Sequence, residues 1–317
     1  MGFVLRLGAR PSRLALIQAE LIKSALEEVA RELRVEIVPI KTSGDRLTRP
    51  ALAEPGGTKR LFVKELEQAL AVGRVDLNVH SMKDLPADLG AQFRLVAVPR
   101  REDPRDALVS RTATRGLEAL PAGARLGTSS ARRSFEALRK RADLNVMPLR
   151  GNVDTRLARL EAGDFDGIIV ALAGLKRLGR TKLAGLSPLD EQTFVPAAGQ
   201  GALALEGLSD RAVGDSRELE AIISGLNDGT AAAETEAERA FLAEIGATCA
   251  SPVGVRARMA EGALAIHALL FSPDGAQAIE DAASVPAERA RTDWAAVGRE
   301  LGHRILNAGG RALLADD

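Results

Sequence analysis

The feature that most constrains the fold is a repeated alternation of short apolar segments with helical segments in the first two thirds of the chain. In the first series, strands are predicted at 3–7, 35–40 and 75–80, and helices at 12–31 and 59–72. Ser12 is a suitable cap for the first helix, where apolar residues recur at helical spacing at Leu14, Ile17, Leu21 and Ala25. Strands joined by helices in this way predict a mostly parallel sheet.

A second series begins after the charged segment REDPRD at 101–106. Strands are predicted at 107–110, 125–127, 146–149 and 167–172, and helices at 129–141 and 153–162. Two similar α/β units that face each other form a cleft, which is a common place for a ligand. The segments REDPRD and VPAAGQG (195–201) are the predicted hinges.

The last third has a different character. A helix is predicted at 230–245, a hairpin at 255–259 and 264–271 around Glu261-Gly262, and a closing amphipathic helix at 294–308. The predicted fold class is therefore α/β, with two α/β lobes and a small C-terminal α+β domain.

Arginine is concentrated in residues 125–156, where eight basic residues and three acidic ones give a local charge of +5. The whole chain is neutral, with 43 basic and 43 acidic residues, and only 3% of its residues are aromatic. Nucleic-acid and membrane surfaces are therefore disfavoured as partners. The pattern favours a small molecule with several carboxylates or phosphates, because the planar guanidinium grips such groups with two parallel hydrogen bonds.

The single cysteine, Cys249, excludes an intrachain disulfide and fits a reducing compartment. The N-terminal segment MGFVLRLGARPSR has no apolar signal core, and no uncharged apolar run approaches the length of a membrane span. We expect a soluble cytoplasmic protein. Three histidines without cysteine spacing predict that there is no zinc site.

Three segments place cations where predicted strands end. These are GTSSARR (127–133), LRGNVDTR (149–156) and GLKRLG (174–179). Backbone N–H groups and hydroxyls at a helix start can bind an anion, although a capped helix with solvated arginines is the alternative. Asp84, in HSMKD (80–84), follows a strand of the first series, where a surface turn is the alternative to a functional carboxylate.

Taken together, these motifs resemble the porphobilinogen deaminase family, also called hydroxymethylbilane synthases. The resemblance runs in order from about residue 5 to about residue 255. It rests on ARPSRLAL (9–16), TSGD (42–45), FVKELE (62–67), HSMKDLP (80–86), REDPRDALVS (101–110), GTSSARR, LRGNVDTRL (149–157), GLKRLG and AAGQGALALE (197–206).

The resemblance implies two periplasmic-binding-like lobes and a third domain. We expect a discontinuous first lobe at 1–100 plus 199–219, a second lobe at 101–198, and a C-terminal domain at 220–317. It also implies that four porphobilinogen molecules are joined head to tail with loss of ammonia, and that water releases a linear hydroxymethylbilane. The expected enzyme is a monomer, without nucleic acid, membrane or metal.

The resemblance further implies a dipyrromethane cofactor held by a thioether to Cys249, and a catalytic role for Asp84. The residues expected to bind the cofactor are Ser81, Lys83, Thr128, Ser130, Arg132, Arg133, Arg150 and Gln200. Those expected to bind substrate are Arg10, Ser12, Gln18, Lys59, Arg156 and Arg177. The motif GGTKRLF (56–62) departs from the GGKG-like spacing of the family, so Lys59 or Arg60 could supply the loop cation.

Two other functions remain open from the residues alone. A two-lobed carboxylate-binding protein could use the same lobes without chemistry. Such a binder needs neither Cys249 nor Asp84, and it would normally carry a signal peptide or a DNA-binding helix-turn-helix. A nucleotide-binding transferase could use the arginines for phosphates, but the chain has no glycine fingerprint for it.

Overall fold

A computed structural model describes residues 3–46, 60–247, 251–290 and 293–314. Cys249 and Lys59 lie outside these residues. The chain divides into two compact units, Met1–Glu102 with Ala202–Thr235 and Asp103–Gly201 with Glu236–Asp317. The three-domain bounds expected from the sequence stay a prediction.

The secondary structure alternates as expected over the first two thirds. The strands in the described residues are β1 (Phe3–Ala9), β2 (Leu33–Pro39), β3 (Leu77–Ser81), β4 (Phe93–Ala97), β5 (Asp106–Ser110), β6 (Arg125–Gly127), β7 (Asn145–Met147), β8 (Gly167–Ala171), β9 (Leu186–Pro188), β10 (Leu203–Leu208), β11 (Val253–Ala260), β12 (Ala263–Phe271) and β13 (Ala278–Pro286). The α-helices there are α1 (Arg13–Val29), α2 (Ser43–Arg46), α3 (Arg60–Ala71), α4 (Ala131–Lys140), α5 (Val153–Glu161), α6 (Leu172–Arg177), α7 (Arg217–Ser224), α8 (Gly229–Glu244), α9 (Ala287–Ala290), α10 (Trp294–Ile305) and α11 (Arg311–Leu314).

The first unit contains a five-stranded sheet in the order β2-β1-β3-β10-β4. Strand β1 is parallel to β2 and β3, whereas β10 is antiparallel to both of its neighbours. The expectation of a mostly parallel sheet is therefore wrong for half of the pairings. The reason is that β10 comes from the returning segment of the chain, and it enters the sheet between β3 and β4 from the opposite direction.

Helix α1 shows how tertiary packing selects one face of an apolar segment. The Ser12 hydroxyl accepts a hydrogen bond from the Ala15 amide at 3.3 Å and caps the helix as expected. The buried side chains are Gln18, Ala19, Ile22 and Leu26, whereas Leu21 is 50% exposed. Apolar residues occur on all sides of this helix, so more than one of its faces has apolar residues at helical spacing. Packing against β1, β2 and α7 selects the stripe that contains Ile22 and Leu26.

The second unit contains a sheet of the same construction, in the order β7-β6-β8-β5-β9. Strand β6 is parallel to β7 and β8, and β5 runs antiparallel to β8 and β9. Phe165, Ile168 and Phe194 are fully buried in the two apolar clusters that cover its faces. The second unit also contains a small α+β layer, a three-stranded antiparallel sheet in the order β11-β12-β13.

The predicted hairpin is confirmed, since β11 and β12 pair up to Ala260 and Ala263. Glu261 and Gly262 form its turn with positive φ angles of 51° and 75°, the sign that a two-residue type I′ turn requires at both positions. Strand β13 was not predicted, because AIEDAASVP has acidic and small residues at its exposed positions. It pairs with β12 along its whole length. None of the helices in the described residues is long and apolar enough to cross a membrane.

The α+β layer depends on a close backbone approach between α8 and α10. A Cβ atom placed on Gly298 would lie 2.0 Å from the Ala237 carbonyl oxygen and 2.9 Å from the Phe241 nitrogen. Both obstacles are backbone atoms and cannot rotate away. Only a glycine at position 298 permits this helix pair to pack as it does.

We therefore expect Gly298→Ala to lower the free energy of unfolding by about 1–3 kcal/mol, the usual range for an overpacked core. Alanine normally stabilises a helix relative to glycine. The sign of the change in the free energy of unfolding therefore tests whether the close packing exists. Gly229→Ala is the control, because a Cβ there meets no atom within 4 Å. Urea unfolding of the two variants would contradict the packing if Gly298→Ala were as stable as Gly229→Ala.

Candidate active site

In the first unit, two parallel strands bring polar residues to one edge of the sheet. Strands β1 and β3 are parallel neighbours, so their carboxyl ends lie at the same edge. Arg10 and Ser12 follow β1, and the turn with Lys83 and Asp84 follows β3. A hydrogen-bond pair joins the two sets, since the buried Gln18 amide donates to Ser81 Oγ at 3.0 Å and accepts from it at 3.2 Å.

Arg10 already has a carboxylate partner in the first unit. Its guanidinium donates to Asp45 at 2.5 Å, and the Thr42 hydroxyl donates to the same carboxylate at 2.7 Å. Burial alone would raise the pKa of Asp45, but these hydrogen bonds hold it below its ordinary value. Asp45 therefore stays charged and holds Arg10 in place. A substrate carboxylate would have to share this guanidinium, and the substrate role of Arg10 stays a prediction.

Asp84 ends a single turn of 3₁₀-helix, Met82–Asp84, directly after β3. The Met82 amide donates to the Ala202 carbonyl at 3.0 Å, and the Leu85 amide donates to the Met82 carbonyl at 3.1 Å, so the turn is fixed at both ends. The Asp84 side chain is partly buried, and its carboxylate has no hydrogen-bond or ion-pair partner among the described residues. A carboxylate fixed in this way is available to a ligand.

In the second unit, three parallel strands end at one edge of their sheet. Thr128 follows β6, Arg150 follows β7 and Arg177 ends the helix that follows β8. Thr128 Oγ accepts from the Ser130 amide at 3.2 Å, and Ser130 Oγ accepts from the Arg133 amide at 3.4 Å, so both hydroxyls organise the start of α4. The exposed Arg150 forms no ion pair within the described residues.

Arg132 and Arg133 are buried and converge on one carboxylate, Asp106, which has no exposed surface. Arg132 donates to its Oδ2 at 2.8 Å, and Arg133 donates to its Oδ1 at 2.7 and 3.0 Å. The Gln200 amide adds a hydrogen bond of 3.0 Å. Burial alone would raise the pKa of Asp106, but the two guanidiniums hold it well below its ordinary value.

A second carboxylate, Glu136, completes this buried network. One of its oxygens accepts from Arg132 at 2.8 Å, and the other accepts from the Val195 amide at 2.7 Å. Burial raises the pKa of Glu136 to about 8, because the loss of hydration outweighs the attraction of Arg132, whose charge is shared with Asp106. The network therefore joins the start of α4 to the segment 195–200.

The two remaining predicted arginines make contacts to backbone carbonyls. Arg156 donates to the Gly151 carbonyl at 2.8 Å, and Arg177 donates to the Gly201 carbonyl at 2.7 Å. Of the predicted residues that the structure describes, those that follow β1 and β3 lie at one sheet edge of the first unit, and those that follow β6, β7 and β8 lie at one sheet edge of the second. Their ligand roles stay predictions. The roles of Asp106 and Glu136 were not predicted from the sequence, although Glu136 lies four residues after Arg132 on a helix, where a salt bridge is expected.

Comparisons with known proteins agree with these motifs. Residues 5–214 match the family model described as "Porphobilinogen deaminase, dipyromethane cofactor binding domain", and residues 232–307 match "Porphobilinogen deaminase, C-terminal domain". The porphobilinogen deaminase of Chromobacterium violaceum is 46% identical over 98% of this chain and 96% of its own length. The chain belongs to the porphobilinogen deaminase family. The porphobilinogen deaminase of Syntrophotalea carbinolica is 44% identical over 98% of this chain and 95% of its own length.

Membership of the porphobilinogen deaminase family confirms the predicted enzyme class, a transferase of tetrapyrrole biosynthesis, and the predicted dipyrromethane cofactor. Among solved structures, a periplasmic solute-binding protein from Desulfovibrio salexigens has a TM-score of 0.41 and 12% identity, covering 72% of this chain and 73% of that one. The predicted α/β class with a small C-terminal α+β layer agrees with the three sheets described above.

The donor groups at the sheet edge of the second unit fit the chemistry of this cofactor. A dipyrromethane made from two porphobilinogen units carries an acetate and a propionate on each pyrrole. Arg150 is exposed there and has no ion-pair partner in the part of the chain that the structure describes, and Thr128 and Ser130 supply hydroxyls at the start of α4. Cations, hydroxyls and helix N-termini are the groups that bind carboxylates in proteins. The residues present therefore suit the cofactor.

Glu136 predicts a specific pH dependence of stability. Its pKa is about 8 in the folded protein, whereas the ordinary value for a glutamate is 4.5. Between these two pH values the folded state keeps a proton on Glu136 that the unfolded state has released. The contribution of Glu136 to the free energy of unfolding is therefore greatest below the pKa of the unfolded state, and it decreases as the pH rises towards the pKa of the folded state. Glu136→Gln cannot titrate, and it serves as the reference.

We expect the parent to lose stability relative to Glu136→Gln as the pH rises from about 5 to about 8, by at most about 1.4 kcal/mol per pH unit. Denaturant unfolding of both proteins across this range measures the difference. Parallel stability curves would show that Glu136 does not take up a proton on folding.

Proposed function

We propose that this porphobilinogen deaminase condenses porphobilinogen with Asp84 as its catalytic carboxylate. The reaction joins four porphobilinogen molecules head to tail, each losing ammonia, and water then releases the linear hydroxymethylbilane. The observation that carries the assignment of Asp84 is its partly buried carboxylate, which has no partner among the described residues and lies on a turn that is fixed by backbone hydrogen bonds.

Asp84 would act through electrostatics. When porphobilinogen loses ammonia, an electron-poor carbon is left, and the pyrrole N–H carries part of the positive charge. A carboxylate that accepts a hydrogen bond from this N–H stabilises the developing charge. If the protein already holds the carboxylate in place, no rearrangement of the site is needed during the reaction. Asp84 needs no proton transfer for this role.

The cofactor supplies the pyrrole carbon to which the first substrate is joined. We propose that Cys249 holds it by a thioether, and that Lys83, Ser81 and the second-unit residues orient it. Those second-unit residues are Thr128, Ser130, Arg132, Arg133, Arg150 and Gln200. Arg10, Ser12, Gln18, Lys59, Arg156 and Arg177 are assigned to the carboxylates and pyrroles of the substrate.

Arg132 and Arg133 would act as a fixed pair in this scheme. Within the described residues, Arg132 makes three hydrogen bonds and Arg133 makes four, out of the five N–H groups that each side chain has. The remaining N–H groups can donate to a cofactor carboxylate without breaking the buried network. Such a pair is preorganised, so little side-chain entropy is lost on binding.

We also propose a cytoplasmic monomer that binds no nucleic acid. The single cysteine among 317 residues fits a reducing compartment. Basic and acidic residues are equal in number, so the chain has no excess positive charge with which to bind a polyanion. The three-domain division and the hinges near residues 100 and 197 belong to the same proposal. Light scattering during gel filtration would contradict the monomer if the mass were a multiple of 33.5 kDa.

Replacing Asp84 tests the catalytic assignment. We expect Asp84→Ala to lower kcat by about 10²–10³-fold while leaving the fold intact, because one preorganised charged contact is lost. Asp88→Ala is the matched control, since Asp88 is an exposed carboxylate four residues further on whose one partner among the described residues is the Gly90 amide. Parental turnover by folded Asp84→Ala would refute the role of Asp84.

The covalent link has its own test, which does not depend on turnover. Intact mass of the purified protein and a tryptic map should show one dipyrromethane on Cys249. We expect Cys249→Ser to carry none, because a serine hydroxyl forms no thioether. A protein whose Cys249 stays unmodified even after incubation with porphobilinogen would instead fit a carboxylate-binding protein on the same lobes.

Arg150 tests the carboxylate-binding edge of the second unit. We expect Arg150→Gln to lower kcat/KM or the cofactor-loaded fraction by about tenfold or more, the effect of one charge-assisted hydrogen bond. Arg115→Gln is the control. Arg115 is also exposed and without an ion pair among the described residues, but it follows the carboxyl end of β5, which lies at the other edge of the sheet because β5 is antiparallel to β8. Equal behaviour of the two variants would remove Arg150 from the site.

A further inference from the structure

The first unit contains a buried polar cluster that the proposed reaction does not use. Glu206 on β10 and Asn78 on β3 are completely buried, and His80 is 5% exposed. One oxygen of Glu206, Oε2, accepts from Asn78 Nδ2 at 3.1 Å and contacts His80 Nε2 at 2.9 Å. These bonds join residues that are more than 120 positions apart in the chain.

The register of the sheet explains why these side chains meet. Glu206 is directly opposite Asn78 in the antiparallel pair of β10 and β3, and His80 lies two residues further along on the same face. On the other side of β3, a Cβ atom on Gly8 of β1 would lie 2.3 Å from Asn78 Oδ1. The three central strands of the sheet therefore meet at this cluster.

Filling this buried space with polar side chains costs free energy, because these groups lose their hydration. Among the described residues, Asn78 Oδ1 and Glu206 Oε1 have no donor although both atoms are buried. Apolar residues of similar size commonly stabilise a protein as well as a buried polar pair does, or better. What hydrogen bonds add is direction, since they fix β10 along β3 to a single position.

The position of β10 along β3 matters for the turn that carries Asp84. The turn begins directly after β3, and its first amide, that of Met82, donates to Ala202 immediately before β10. Leu203, the first residue of β10, is paired with Ser81. A shift of β10 would therefore move the backbone anchor of the turn.

We propose that Glu206 is a positioning residue, which holds the turn with Ser81, Lys83 and Asp84 in its working place through His80, Asn78 and strand β10. The proposal rests on the catalytic role given to Asp84 above. Displacements of about 1 Å in a site can cost about 10²-fold in rate, so a small slip of β10 is enough to be measured.

Three variants separate positioning from stability. Glu206→Ala removes the acceptor for His80 and Asn78. Glu206→Gln is the conservative variant, because its amide oxygen can still accept from His80 and Asn78. Val35→Ala removes a buried side chain from β2 of the same sheet, away from the turn, and reports the effect of a weaker core alone.

Each variant is prepared as holoenzyme and measured for covalent cofactor by intact mass, for Tm, and for kcat and KM. Hydrogen exchange of the peptide covering residues 77–86 reports on the turn directly. We expect Glu206→Ala to be fully loaded, to lose about 10²-fold in kcat with KM changed by less than about threefold, and to exchange faster in this peptide. Glu206→Gln should stay within about threefold of the parent in kcat.

Parental kcat in folded and loaded Glu206→Ala overturns the proposal, and so does a loss of kcat that Val35→Ala matches at equal Tm. If Glu206→Ala does not fold, Glu206→Asp replaces it, because the shorter side chain withdraws the carboxylate from His80. Should Asp84→Ala keep parental turnover, the catalytic role of Asp84 fails. The exchange of peptide 77–86 would then still decide whether Glu206 holds the turn.

Discussion

The carboxylate of Asp106 is the group on which the site of the second unit depends. It is completely buried, and it accepts hydrogen bonds from Arg132, Arg133 and Gln200. Removing the partner of a buried charge lowers the free energy of unfolding by about 3–5 kcal/mol. None of these groups can therefore be replaced alone without a loss of stability. The same hydrogen bonds hold the two arginines in position. An arginine pair positioned by the protein can receive a carboxylate at small entropic cost.

Both sheets use a buried carboxylate on the strand that runs against its neighbours. In the second unit this is Asp106 on β5, and in the first it is Glu206 on β10. Each strand comes directly after a point where the chain passes from one unit to the other, at residues 102/103 and 201/202. A strand that enters a sheet from a distant part of the sequence has no short turn to set its register. In the first unit, we propose that the bonds from Asn78 and His80 to Glu206 supply that register, whereas in the second unit Asp106 ties β5 to α4 and Gln200.

Much of the fold and of the candidate site could be predicted from local sequence. Strand β6 and the start of α5 lie at their predicted residues, and Ser12, Ser130 and Asn152 cap the helices that follow them. The family motifs predicted the enzyme class and the cofactor, which the comparisons confirm. The direction of β5 and β10 and the existence of β13 could not be predicted, because they depend on pairing with strands that are distant in the chain.

The sequence by itself determined the α/β alternation, the helix caps, the cluster of arginines and the family, since each depends on residue types at short spacing. Tertiary structure alone decided which face of α1 is buried, which carboxylates the arginines contact, and that Asp84 has no partner among the described residues. Arg132 and Arg150 have the same side chain, yet one is buried against Asp106 and Glu136 and the other is exposed. Burial and partners arise from contacts between distant segments, and the ionic behaviour of a side chain follows from those contacts.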